Sequence, residues 1–146
     1  MPGGSAVRGL GAASHIIAFR VLDQNGAGQT STVLQAIEFA INNKALLGID
    51  VINLSLGHPV DEPADADPLV RAVAAATRAG IVVVTAAGNY GYDHVTGQSG
   101  YAGITSPGNA PSVITVGALR TMNTLDRSDD LIAPYSSRGP AWYDAV

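Results

Sequence analysis

Short apolar segments alternate along the chain with longer segments whose apolar positions recur at helical spacing, and this alternation predicts βαβ units around a parallel sheet. A first strand is expected over residues 15–22, then a turn-rich stretch over 23–28 and a helix over 31–46. That helix places Val33, Leu34, Ile37, Ala40, Ile41 and Ala45 on one face and Gln35, Glu38 and Asn42 on the other. A second strand is expected over 50–56, ending at Gly57, and an acidic loop then leads to Asp67-Pro68. Aspartate there caps a helix N-terminus, and proline is preorganised for the first helical position. Leu69, Val70, Val73 and Thr77 form the expected buried stripe, and Gly80 closes the helix in a left-handed conformation. Further strands are expected over 81–86, over 112–118 and, briefly, near 131–134. The connection from 87 to 111 is far longer than most, and loops of that length in compact domains are usually functional or disordered.

Length and composition narrow the fold. The chain has 146 residues, enough for one domain or less, with 47% hydrophobic but only 5% aromatic positions. Its core must therefore be built from Val, Ile, Leu and Ala, as in layered α/β proteins. The formal charge is −4 and the eight Lys and Arg residues form no cluster, so no nucleic-acid partner is expected. The absence of cysteine removes disulfides, thiol catalysis and cysteine zinc sites, and leaves the redox compartment open. No apolar run approaches the ~20 residues of a membrane span. Met1-Pro2-Gly3-Gly4-Ser5 lacks the basic and apolar regions of a signal peptide, so any export signal is expected outside this chain.

Ligands of parallel sheets gather at the carboxyl ends of the strands. Three small, glycine-bearing stretches fall there: Asn25-Gly26-Ala27-Gly28-Gln29, Ser55-Leu56-Gly57 and Ala86-Ala87-Gly88-Asn89. Glycine exposes backbone groups that larger side chains screen, so together the three would floor a cleft that hydrogen-bonds an extended peptide. The alternative is that these glycines only make turns. Gly26-Ala27-Gly28 also invites a dinucleotide reading, but it lacks the third glycine and the acidic residue closing the second strand, and no G-K-[ST] occurs. His15, His58 and His94 show no metal spacing and read as structural or solvated. Asp61, Glu62, Asp65 and Asp67 lack the alternation and glycine of a calcium loop and read as a solvated loop ending in a helix cap. Ser99, in Gly97-Gln98-Ser99-Gly100, falls short of a nucleophile elbow and reads as loop. No metal and no cofactor is expected.

Five stretches, in order, carry a further signal: Ile17-Ala18-Phe19-Arg20-Val21-Leu22-Asp23 with Gly26-Ala27-Gly28; Asp50-Val51-Ile52-Asn53-Leu54-Ser55-Leu56-Gly57; Gly80-Ile81-Val82-Val83-Val84-Thr85-Ala86-Ala87-Gly88-Asn89; Ser106-Pro107-Gly108-Asn109-Ala110-Pro111-Ser112-Val113-Ile114-Thr115-Val116-Gly117-Ala118; and Tyr135-Ser136-Ser137-Arg138-Gly139-Pro140. Together they resemble the middle of a subtilisin-like serine protease (subtilase, peptidase S8), across nearly the whole chain. The resemblance implies a subtilisin-like three-layer α/β fold, incomplete here, with residues 1–146 as a partial catalytic domain. It also implies serine-type endopeptidase chemistry on a peptide or protein substrate, and an extracytoplasmic location. Asn89 matches the asparagine that donates to the oxyanion, and Ala86-Ala87-Gly88 the wall of the pocket for the residue before the scissile bond. Ser55-Leu56-Gly57 and Gly26-Ala27-Gly28 match the segments pairing with substrate backbone on either side, and Ser106-Pro107 a cis peptide bond. The family's G-T-S-M-A, H-G-T-H and D-[ST]-G motifs do not occur, so nucleophile, base and orienting acid have no residues here. The expectation is an inactive piece whose partners include the rest of its own domain, with a non-catalytic peptide-binding module and a nucleotide-binding protein as alternatives.

Overall fold

The computed structural model describes residues 11–91 and 99–141. Helix α1 (Thr30–Asn42) is followed by the single turn α2 (Lys44–Leu47), strand β1 (Val51–Leu54), helix α3 (Pro68–Arg78) and strands β2 (Val82–Ala86) and β3 (Ile114–Val116). Strands β4 (Leu119–Arg120) and β5 (Leu131–Ile132) close the order. β1, β2 and β3 form a parallel sheet in that order, with Val51 opposite Val82, Leu54 opposite Thr85 and Ala86 opposite Val116. β4 and β5 make a separate antiparallel pair.

The α/β arrangement is the expected one, and local sequence explains its elements. Asp67 accepts hydrogen bonds from the Leu69 and Val70 amides, Pro68 opens α3, and Gly80 beyond its end has φ +81°. Leu69, Val70, Val73 and Ala76 turn inward against Val33, Ile37 and Ala40 of α1 and against Leu54, Ile81 and Val83 of the sheet. Thr77, expected in that stripe, lies at its edge and donates to the Val73 and Ser112 carbonyls. The long helix expected over 31–46 is broken at Asn43, whose side-chain amide donates to the Phe39 carbonyl and ends α1; Ala45 is left exposed in α2.

The first expected strand is a correction. Residues 15–22 form no regular element, with a bend at Leu22, and among the described residues they pair with no strand. Ile17 and Val21 pack against the core cluster, and Phe19 meets Phe39 of α1 edge to face at 5.6 Å. Side-chain alternation thus follows the strand pattern while the ladder is missing, and a cavity of about 530 Å³ lies between this segment and β1.

Helices cover one sheet face. Val51, Val82, Ile114 and Val116 of the other are exposed. Of the three layers implied by the resemblance, the described residues build two.

Candidate cleft at the ends of the central strands

The carboxyl ends of β1 and β2 lie side by side, and each runs into one of the stretches singled out above. Beyond β1, Gly57 leads to His58, whose backbone N–H donates to the Ser106 carbonyl and whose carbonyl accepts from the Ser106 N–H, each at 3.0 Å. Beyond β2, the Ala87 N–H donates to the Val116 carbonyl at 2.9 Å, and the Ala87 carbonyl accepts from the Thr105 N–H at 3.0 Å. Thr105-Ser106 therefore seams the two stretches together. The contacts are close enough to require glycine: a β-carbon on Gly57 would lie 2.6 Å from the Ser106 carbonyl oxygen, and one on Gly88 would lie 2.7 Å from Thr105 Cγ2. Gly88 also has φ +105°, a left-handed conformation that other residues adopt only under strain.

Asn89 is held by its neighbours. The Gly88 carbonyl accepts from the Ser137 N–H, and the Tyr90 N–H donates to Ser137 Oγ, both at 3.0 Å. The backbone on either side of Asn89 is thus fixed by one buried serine. The Asn89 side chain is left exposed, with no hydrogen bond among the described residues. Its amide can present two N–H donors outward. The Ser106-Pro107 peptide is cis.

Gly26-Ala27-Gly28 is not brought to this seam. The Asp23 N–H donates to the Ala27 carbonyl at 2.8 Å, and the Asp23 carboxylate accepts from the Asn25 and Ala27 amides at 2.8 and 2.9 Å. Those two amides hold the Asp23 carboxyl below its ordinary value, the Ala27 N–H contributing most. The loop closes on itself, and with residues 15–22 unpaired nothing carries it across to β1.

His58, read from sequence as structural or solvated, makes local contacts: Nε2 lies 3.7 Å from Asp67 Oδ2, and Nδ1 lies 2.7 Å from the Pro59 carbonyl oxygen, to which it donates. Asp67 is the helix cap, and Asp61, Glu62 and Asp65 are exposed, as a solvated loop requires. Among the described residues no group of His, Asp and Glu could hold a metal ion. His94 lies outside the described residues, as do the N-terminal motif Met1 to Ser5 and Gly97-Gln98 ahead of Ser99. Two residues of the seam were not singled out by sequence reasoning. Thr105 carried no signal in its local sequence, and Ser137 appeared only inside a resemblance motif, without a role.

Residues 2–146 match the Subtilase family of peptidases. The chain belongs to the subtilase family. It is 40% identical over 141 residues to serine protease AprX of Bacillus subtilis (strain 168), covering 93% of this chain and 30% of that protein. It is 40% identical over 117 residues to subtilisin E of the same strain, covering 80% of this chain and 27% of the relative. Among solved structures, Sphericase superposes with a TM-score of 0.63 at 32% identity, over 82% of this chain and 34% of that one. The S41 psychrophilic protease gives 0.62 at 31% identity, over 82% and 35%. This subtilase chain thus spans about a third of the length of the proteins it matches. Among its described residues no helix is long and apolar enough to cross a membrane.

Proposed function

We propose that this subtilase chain carries the substrate cleft and the oxyanion donor of a serine endopeptidase, and that it hydrolyses no peptide bond by itself. The observation that carries the reading is the seam at the strand ends. There Gly57, Ala87 and Gly88 meet across Thr105-Ser106, and Asn89 projects beside them from a backbone clamped by Ser137. In this reading Ser55-Leu56-Gly57 offers backbone groups to an extended peptide, and Ala86-Ala87-Gly88 walls the pocket for the residue before the scissile bond. Gly26-Ala27-Gly28 is retained as the opposite edge on the resemblance alone.

Acyl transfer places negative charge on a carbonyl oxygen, and a fixed amide aimed at that charge stabilises the transition state more than the ground state. Asn89 fits this role because its backbone is fixed and its side-chain donors are free. Loss of such a donor lowers turnover by roughly 10²–10³, a magnitude measured on the corresponding asparagine of subtilisin itself and carried over from there. Serine attack, imidazole proton transfer and carboxylate orientation need three further groups, and the motifs bearing them do not occur in these 146 residues. The substrate is a peptide or protein, and the place of action extracytoplasmic, both on the family resemblance; fractionating cells that express the gene in its native context checks the latter.

The purified chain should show no turnover of a chromogenic peptide; turnover abolished by a serine-directed inhibitor would overturn the inactivity. Added peptide should shift the amide resonances of Gly57, Gly88 and Asn89, and no shift at any concentration would remove the cleft. A second reading, a peptide-binding module without catalysis, is favoured by the seam's being closed within the chain. A cooperative thermal transition, with peptide binding weakened in Asn89→Ala, would support it.

A further inference from the structure

Of the seven asparagines in the sequence only Asn25 is followed by glycine, and the pair lies in the exposed turn that precedes α1. An asparagine side chain is open to attack by the backbone nitrogen of the next residue, and a side chain on that residue obstructs the approach; glycine has none. Gly26 stands in open space, with nothing within 4 Å of the place a β-carbon would take, and its φ is +77°. Its N–H donates to the Asp23 carbonyl at 3.2 Å, a looser tie than the 2.8 and 2.9 Å bonds by which the Asp23 carboxylate holds the Asn25 and Ala27 amides. The Asn25 side chain also hydrogen-bonds that carboxylate, which keeps its amide inside the turn. The other asparagines lack this combination. Asn42 closes α1 and Asn53 lies in β1, where a regular backbone holds the side-chain carbon away from the next nitrogen, and Asn109 is buried.

We propose that Asn25-Gly26 is a site of spontaneous deamidation, and that its conversion opens the turn over residues 23–28. The Gly26 nitrogen, losing its proton, bonds to Asn25 Cγ; the Cγ–Nδ2 bond breaks and ammonia leaves with that proton, closing a cyclic succinimide. Water then adds to one of the two ring carbonyls. Opening at Cγ leaves an aspartate at position 25, and opening at the backbone carbonyl leaves isoaspartate, in which the main chain runs through the former side-chain carbon. Water taken up and ammonia released balance the exchange, and nothing is oxidised or reduced. Either product replaces the amide donor beside Asp23 by a carboxylate, so Asp23 loses a partner and meets a like charge. Isoaspartate also lengthens the backbone between Asn25 and Ala27, whose amides must both reach one Asp23 oxygen. Nothing in this chemistry depends on the cleft reading above.

The full 146-residue chain, aged in warm, mildly alkaline buffer and digested with trypsin, provides the test through residues 21–44, a peptide that also carries Asn42 and Asn43 as internal controls. Fragmentation should place the mass gain of an amide-to-acid exchange on Asn25 alone, and isoaspartyl methyltransferase should label the aged chain. Ion exchange should show one negative charge added to the formal −4. Asn25→Gln, whose longer side chain closes a ring far more slowly, should remove all three signals. In the aged chain the Asn25 and Ala27 amide resonances should leave their native positions. If Asn25 in the folded chain keeps its amide over the time in which a synthetic peptide of residues 21–30 loses it, the turn shields the site and the assignment is overturned. Conversion of Asn42 or Asn43 as fast as Asn25 would overturn it too. Conversion of Asn25 with the Ala27 amide unmoved would overturn the opening of the turn.

Discussion

Gly88 and Asn89 show how much of a site one backbone conformation decides. Gly88 combines φ +105° with a β-carbon position 2.7 Å from Thr105 Cγ2 and 2.8 Å from Ser137 Oγ, so Gly88→Ala meets both backbone strain and a clash. It should lower stability by about 1–3 kcal/mol in chemical denaturation, enough to unseat Asn89 as well. That a glycine precedes the asparagine is visible in the sequence; that Ser137, 48 positions after Asn89, clamps it from both sides is not, because a serine forms such a pair of bonds only where folding brings it. Asp23 marks the same contrast at a turn. Its carboxyl is held below the ordinary value by the Ala27 and Asn25 amides, so the turn's added stability is full above that ordinary value and lost as pH falls through the lowered one. The Asn25 and Ala27 amide resonances should shift as pH falls through that range, with a midpoint below the ordinary carboxyl value, and Asp23→Asn should abolish the transition.

At the scale of elements, α3 was the most legible and residues 15–22 the least. The boundaries of α3 are written in local chemistry, from the Asp67 carboxylate that caps its first amides to the left-handed Gly80 beyond its last turn. Asp67→Ala should cost about 0.5–2 kcal/mol and loosen the Leu69 and Val70 amides, whereas Asp67→Asn, still a capping residue, should retain most of the stability; thermal unfolding of both variants checks this. A strand has no such local closure, since half of its hydrogen bonds belong to its neighbours. Residues 15–22 have the right alternation, and Ile17 and Val21 use it to reach the core, but the edge of β1 is not engaged. Ile16 stands 82% exposed in consequence, and the Gly26-Ala27-Gly28 turn stays away from the seam.

Across the whole molecule, the two layers leave one sheet face in water. Parallel sheets are normally covered on both faces, yet Val51, Val82, Ile114 and Val116 are all exposed, and the β4–β5 pair adds Leu119, Leu131 and Ile132. The isolated chain should therefore enhance the fluorescence of an apolar dye and self-associate as its concentration rises. A paired Val82→Lys and Ile114→Lys variant should suppress both with its circular dichroism unchanged, and equal dye binding by the variant would contradict this account. Periodicity, capping residues and glycine placement were enough to identify a parallel α/β chain, the position of its helices and the strand ends where the proposed cleft lies, because each is a property of neighbours in sequence, and the resemblance of five ordered motifs pointed to the family. Folding alone settled that Ser55-Leu56-Gly57 and Ala86-Ala87-Gly88 meet across Thr105, that Ser137 holds Asn89, that His58 lies beside Asp67, and that residues 15–22 stay unpaired. Those are contacts between residues distant along the chain, and their energies depend on packing and partner edges that no local pattern encodes.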